Sequence, residues 1–284
     1  MCGILGFSGN FAPESIARAN RAQGHRGPDD SGEFHLAECG IGFGHLRLSI
    51  IDLSHLGHQP MNSDDGGISL IFNGEIYNYK SLRDELLARG CRFRGTSDTE
   101  VILQLYMRDG EAMLSRLNGI FAFAIWDGRT KSLFVARDQL GIKPLYYAQT
   151  AQGFAFASEL KALLEINPEL RALDIASINR YLTFLWCPGS GTPLKEVKKL
   201  QPGEALSVVD GRIVRRWTWY RLPAARGVRP DLSERESIAS VESGLRQAVH
   251  RQLVADVPVG SFLSGGLDSS AERVRTGMRG TSVG

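Results

Sequence analysis

The sequence predicts an α+β protein with helices packed on sheet faces. Two observations carry this reading. Short apolar runs with strand character, several interrupted by glycine, recur from residue 2 to about residue 220. The helical stretches between them are few and segregated. Taken in order, "ECGIGFGHLRLSIID" and "GISLIFNGEIYNY" are glycine-interrupted β runs. "YKSLRDELLARG" reads as a helix, with Leu82 and Leu86 on one face and Gly90 as its stop. "TSDTEVILQLYMRDG" should start a second helix, because Ser97 and Glu100 have capping-box spacing ahead of Val101, Leu105 and Met107. "GIFAFAIWDGRTKSLFVARD" predicts a hairpin turning at Asp127-Gly128, and "ALSVVDGRIVRRW" another at Asp210-Gly211, since both dipeptides tolerate positive φ. "DIASINRYLTFL" is a third helix.

The pattern changes at "YRLPAARGVRPDLSERES", whose prolines, glycine and mixed charge read as a linker. The expected division is therefore a domain over 1–220, a linker over 221–232 and a second domain opening at 233–284. That opening comprises a helix over "ERESIASVESGLRQAVHRQL", a strand at "DVPVGSFL" and the loop "SGGLDSS".

Bulk composition narrows the function classes. The 284 residues are 43% apolar and 23% charged, which is ordinary for a globular chain. A net charge of +2 argues against a dedicated nucleic-acid surface. The first thirty residues lack a basic stretch followed by an apolar run, and no apolar segment approaches the ~20 residues of a membrane span. Cys2, Cys39, Cys91 and Cys187 show neither CxxC pairing nor disulfide-framework density. A soluble cytoplasmic protein without a membrane or nucleic-acid partner is expected, and no residues are assigned to a metal.

Cys39, Cys91 and Cys187 read as small buried hydrophobes. Cys2 differs by its position. With a small residue second, Met1 suits co-translational removal, which leaves a free α-amine on the residue that carries the thiol. An α-amine titrates near pH ~8 and can serve as base for the adjacent thiol. "FNGEIYN" offers Asn73 and Gly74, whose side-chain NH₂ and backbone N–H can form an oxyanion hole, or alternatively a hairpin turn. Arg47 in "HLRLSIID" suits a carboxylate, or else lies at a strand edge in solvent. Asp98 in "GTSDTEV" can hold an ammonium group or serve as an ordinary acid at a helix start.

Taken together, "MCGILGF", "HRGPDDSG", "HLRLSIID", "FNGEIYN", "TSDTEVIL", "LNGIFAFAIWD", "RDQLGIKPLYY" and "FASELKAL" resemble class II glutamine amidotransferases. They look most like the glutaminase half of glutamine-hydrolysing asparagine synthetases. The resemblance spans nearly all of residues 2 to 220. It implies an N-terminal-nucleophile fold, a four-layer αββα sandwich. It also implies that Cys2 attacks the side-chain amide of glutamine through a γ-glutamyl thioester, with its freed α-amine as base. Asn73 and Gly74 would form the oxyanion hole, and Arg47 would hold the substrate carboxylate. Glu75 and Asp98 would hold its ammonium, and the backbone of Leu48, Ser49, Ile50 and Ile51 would line the glutamine pocket. The products would be glutamate and ammonia.

"SGGLDSS" lacks the lysine and spacing of a Walker loop and could be a flexible glycine-serine loop. Its seven residues nevertheless resemble the pyrophosphate loop of an α/β ATP-pyrophosphatase domain. That likeness assigns Ser264, Gly265, Gly266, Asp268, Ser269 and Ser270 to ATP, with Leu263 on the adenine side. In the family, ATP and Mg²⁺ activate aspartate and ammonia then displaces AMP. After Ser270 the pattern departs: "AERVRTGMRGTSVG" has little periodic apolar face. A truncated or frame-shifted synthetase domain is the expectation, with glutamine hydrolysis alone left to this chain and a homodimer as the oligomer considered. Two alternatives stay open: an amidotransferase with a different acceptor, including another carboxylate, and a non-catalytic glutamine-binding fragment.

Overall fold

A computed structural model describes residues 1–223, 232–260 and 264–268. The chain divides into two units, Met1–Leu222 and Pro223–Gly284. The first unit opens with β1 (Gly3–Gly9), α1 (Glu14–Ala22), β2 (Asp30–Leu36) and β3 (Ile41–Arg47). There follow β4 (Met61–Asn62), β5 (Ile68–Ile76), α2 (Tyr79–Ala88), α3 (Asp98–Asp109), β6 (Gly119–Asp127) and β7 (Ser132–Arg137). It closes with β8 (Tyr146–Thr150), β9 (Gly153–Ala157), α4 (Leu160–Ile166), α5 (Ile175–Phe184), β10 (Val197–Lys199), β11 (Glu204–Val209) and β12 (Arg212–Thr218).

The strands form two sheets, ordered β10-β8-β9-β1-β3-β2 and β12-β11-β7-β6-β5-β4, and each pairing within them is antiparallel. Alternation along each strand sorts the side chains into layers. Ile4, Ile41 and Phe43 of the first sheet meet Ile71, Ala122, Ala124, Val135 and Leu206 of the second in one buried cluster. Leu5 and Phe7, on the opposite face of β1, pack instead with Ile16 and Ala19 of α1 and Ala162 and Leu163 of α4. On the outer face of the second sheet, Tyr106 of α3 stacks on Phe134 of β7 with ring centroids 5.9 Å apart. The result is a four-layer αββα sandwich, as the family resemblance implies.

Hairpins form between β6 and β7 and between β11 and β12, but the first is corrected in its turn: Asp127 stays paired in β6 opposite Ser132, and the loop runs over 128–131 with the positive φ (51°) at Lys131 rather than at Asp127-Gly128. Asp210 and Gly211 both take positive φ (47° and 72°), the geometry of a two-residue turn that matches strand twist. Asn73-Gly74 is not a turn. Both residues lie inside β5, paired with Ala122 and Phe121 of β6. Neither α1 nor α4 is anticipated above: α1 is mostly polar, and α4 has only seven residues, too short for a clear period.

In the second unit, α6 (Glu234–Gln252) carries a complete capping box between Ser233 and Glu236. The strand expected at "DVPVGSFL" is corrected over its described part, because residues 256–260 form no strand. A strand requires a partner to satisfy its backbone groups, and none is present among the described residues of this unit. Residues 261–263 lie outside the described residues.

Candidate active site

The site follows from strand phase. Cys2 stands two residues before Ile4, which faces the space between the sheets. Arg47 and His45 continue the phase of Ile41 and Phe43 on β3, and Asn73 continues that of Ile71 on β5. At this end of the sandwich the apolar filling stops and polar side chains take the inner positions. One pocket is lined by Cys2, Arg47, Leu48, Ile50, Ile51, Asn73, Gly74, Glu75 and Asp98, all anticipated from sequence. Met1, Gln59, Phe72, Thr99 and Lys143 complete the lining and were not anticipated. Lys143 falls within the "RDQLGIKPLYY" motif, but its sequence neighbours give no hint that it lines the pocket of Cys2. Ser49 is not part of the lining; its N–H donates to Asp29 Oδ2 at 2.7 Å.

The Cys2 thiol sits against Leu48, whose N–H donates to Sγ at 3.4 Å and whose carbonyl accepts from Sγ at 3.6 Å. Burial pushes the thiol above its ordinary titration range, while the Leu48 hydrogen bond, the chain-terminal ammonium and Lys143 pull it back. Burial likewise lowers the terminal amine. Arg26 fixes the backbone here, donating from Nε to the Cys2 carbonyl at 3.0 Å and from Nη1 to Glu159 at 2.9 Å.

Asn73 is 1% exposed, and neither Oδ1 nor Nδ2 has a hydrogen-bond partner among the described residues. Leaving a buried amide unpaired costs about 1–3 kcal/mol, so the arrangement calls for a functional reason. Next to it, a Cβ on Gly74 would stand 2.2 Å from the Ile120 carbonyl, so the close approach of β5 to β6 requires glycine.

Arg47 is 6% exposed and holds the loop that follows β3. Its Nη1 donates to Ser54 O at 2.9 Å, and its Nη2 donates to Ile51 O at 3.3 Å and to Asp52 O. Gly57 lets the guanidinium pass, since a Cβ there would lie 1.9 Å from Nη2. Across the pocket, Asp98 at the start of α3 accepts from the Ile76 N–H at 2.9 Å. Burial pushes its carboxyl up to about 7, with the Glu75 charge adding to the rise and the Ile76 hydrogen bond opposing it. Glu75 is itself raised by burial and lowered by Lys143. Gln59 ties the wall together, accepting from Phe72 N at 2.7 Å and donating to Thr99 Oγ1 at 3.2 Å.

The pocket therefore offers a thiol, an adjacent amine, an unpaired amide, a guanidinium and two carboxylates. That set is complementary to an α-amino acid whose side-chain carbonyl is attacked by sulfur.

The nucleotide-loop residues belong to the second unit. Ser264, Gly265, Gly266 and Asp268 are exposed, and Gly265 has φ +79°. The Gly266 N–H donates to Ser264 Oγ at 3.4 Å. Leu263, Ser269 and Ser270 lie outside the described residues. Among the described residues, no group of three or more His, Cys, Asp or Glu side chains could hold a metal ion, and no helix is long and apolar enough to cross a membrane.

Fold and pocket are those expected of a glutamine amidotransferase domain. The chain belongs to the glutamine amidotransferase domain family, whose model matches residues 1–220; an asparagine synthase model matches 240–271. It is 41% identical over 285 residues to the glutamine-hydrolyzing asparagine synthetase 3 of Bacillus subtilis, covering 95% of this chain and 44% of that protein. A putative glutamine-hydrolyzing asparagine synthetase of Mycobacterium bovis is 39% identical over 295 residues, covering 95% and 45%. The chain thus spans less than half the length of these relatives. Among solved structures, glutamine phosphoribosylpyrophosphate amidotransferase from B. subtilis superposes with a TM-score of 0.60 at 20% identity, covering 98% of this chain and 64% of that one. That likeness is one of fold.

Proposed function

We propose that this chain hydrolyses the side-chain amide of glutamine at Cys2. The observation that carries the reading is the convergence of Cys2 just ahead of β1, Arg47 of β3, Asn73 of β5 and Asp98 of α3 on one pocket. After removal of Met1, the Cys2 α-amine accepts the thiol proton as sulfur attacks the amide carbon. Asn73 Nδ2 and the Gly74 N–H donate to the developing oxyanion, which gives the buried Asn73 amide its partner. Arg47 holds the α-carboxylate through donors not engaged by the 51–54 loop. Asp98, helped by Glu75, holds the α-ammonium. Collapse of the tetrahedral intermediate passes the proton to the leaving nitrogen as ammonia and leaves a γ-glutamyl thioester. Water then cleaves that thioester, releasing glutamate and restoring the thiol.

The same reading carries the further assignments. Residues 1–220 are the glutaminase domain, 221–232 a linker and 233–284 the opening of a synthetase domain. Ser264, Gly265, Gly266 and Asp268 belong to an ATP loop, the protein is cytoplasmic, and aspartate with ATP and Mg²⁺ is the acceptor system of the whole protein. The described part of that loop is exposed, among the described residues no acidic cluster stands beside it, and no step is routed through it. Purified protein whose first residue is shown by intact mass to be Cys2 is expected to release glutamate from glutamine. C2A is expected to release none. Glutamate release that survives C2A would overturn the assignment of the nucleophile.

A further inference from the structure

We propose that Lys143 is a positioning residue that stabilises the Cys2 thiolate and so sets the pH at which the nucleophile becomes available. This rests on the reading of Cys2 as nucleophile.

Lys143 is 6% exposed and lines the Cys2 pocket, and among the described residues its ammonium makes no ion pair. A lysine is seldom buried in this way unless its charge is used. Its backbone is held on both sides. The Lys143 N–H donates to Asp138 Oδ2 at 3.0 Å, and its carbonyl accepts from Arg137 Nε at 2.7 Å. Asp138 also accepts from the N–H groups of Phe121, Leu140 and Ile142, so the loop from 138 to 143 is wound around one buried carboxylate. The ammonium is therefore delivered from a fixed anchor.

Recognition of an amino acid does not need this cation. The α-carboxylate has Arg47, and the α-ammonium would be repelled by a second positive charge. Besides the Glu75 and Asp138 carboxylates, the anionic species facing Lys143 is the Cys2 thiolate. The charged groups facing Lys143 are Glu75 from β5, Cys2 ahead of β1, Arg26 and Asp138. Those facing Cys2 are the chain-terminal amine, Lys143 and Asp98. Burial lowers the Lys143 ammonium while Glu75 and Cys2 raise it, so Glu75 helps keep the charge in place.

The test is the rate of Cys2 alkylation by iodoacetamide against pH. It is read by peptide mass on full chain beginning at Cys2, from about pH 5.5 to about 9.5. K143M is expected to move the midpoint upward by about one pH unit, slowing alkylation about tenfold below it. K143R, which keeps the charge, should restore the midpoint to within a few tenths of a unit, and K143E should move it further up than K143M. Should K143M fail to fold, as circular dichroism would show, K143Q takes its place in the series. A midpoint unchanged in K143M or K143Q overturns the proposal, as does a rise in the KM for glutamine with no change in midpoint, which would confine Lys143 to neutralising Glu75. Failure of the nucleophile assignment registers separately, as glutamate release by C2A.

Discussion

A carboxyl buried beside a second carboxylate loses part of its hold on charge, and Asp98 stands in that position. Its titration is raised from the ordinary 3.8 to about 7, chiefly by burial. The folded state therefore favours the protonated form. The stability this contributes is fully present below the ordinary value and is lost as pH rises through about 7. Thermal melts of D98N against pH are expected to lack that falling limb. A bound α-ammonium prefers the carboxylate, so the KM for glutamine should fall as pH rises through about 7, and D98N should raise KM and flatten the dependence. Asn73 gives a contrasting prediction. If its unpaired amide serves the transition state, N73A should lower kcat by about 100- to 1000-fold with little change in KM. Because the amide is unpartnered in the fold, the same substitution should leave the melting temperature nearly unchanged. Cys2, Arg47, Asn73 and Asp98 were all legible in the sequence, since each residue type has a chemistry an amino-acid pocket needs. Lys143 and Gln59 were not, because their relevance comes from what folds opposite them.

At the scale of elements, α3 links local sequence to the pocket. Ser97 Oγ accepts from the Glu100 N–H at 3.2 Å, the half of a capping box that the spacing predicts. The other half is redirected: the Glu100 carboxylate accepts from the backbone of Arg94 at 2.7 Å and Gly95 at 2.8 Å. The cap also sets where Asp98 begins the helix. S97A should lower stability by about 1 kcal/mol in denaturant titration and should raise the KM for glutamine through displacement of Asp98. β5 shows the limit of reading dipeptides. Asn-Gly is a strong turn signal when its flanking runs pair with each other. Here both flanks pair with β6, from Ile68 opposite Asp127 to Ile76 opposite Gly119, and the dipeptide stays extended.

At the scale of the molecule, the inter-sheet core and the helix-covered core of the first sheet are both drawn from residues up to Val208. A chain ending at Leu222 is therefore expected to melt cooperatively, with a midpoint within a few degrees of the full chain; a broad, non-cooperative melt would refute this. The sequence by itself determined most of the strands and longer helices, the Asp210-Gly211 turn and the candidate residues for acyl transfer, because periodicity, turn chemistry and side-chain chemistry are local properties. The family likeness added a sandwich to that reading. Only the tertiary structure decided which of those residues meet. Inner-face positions on β1, β3 and β5 become neighbours when two sheets stack, and the 138–143 loop brings a lysine from far along the chain into the pocket that Cys2 lines. Strand pairing and sheet packing join residues tens of positions apart, and no window along the sequence contains that information.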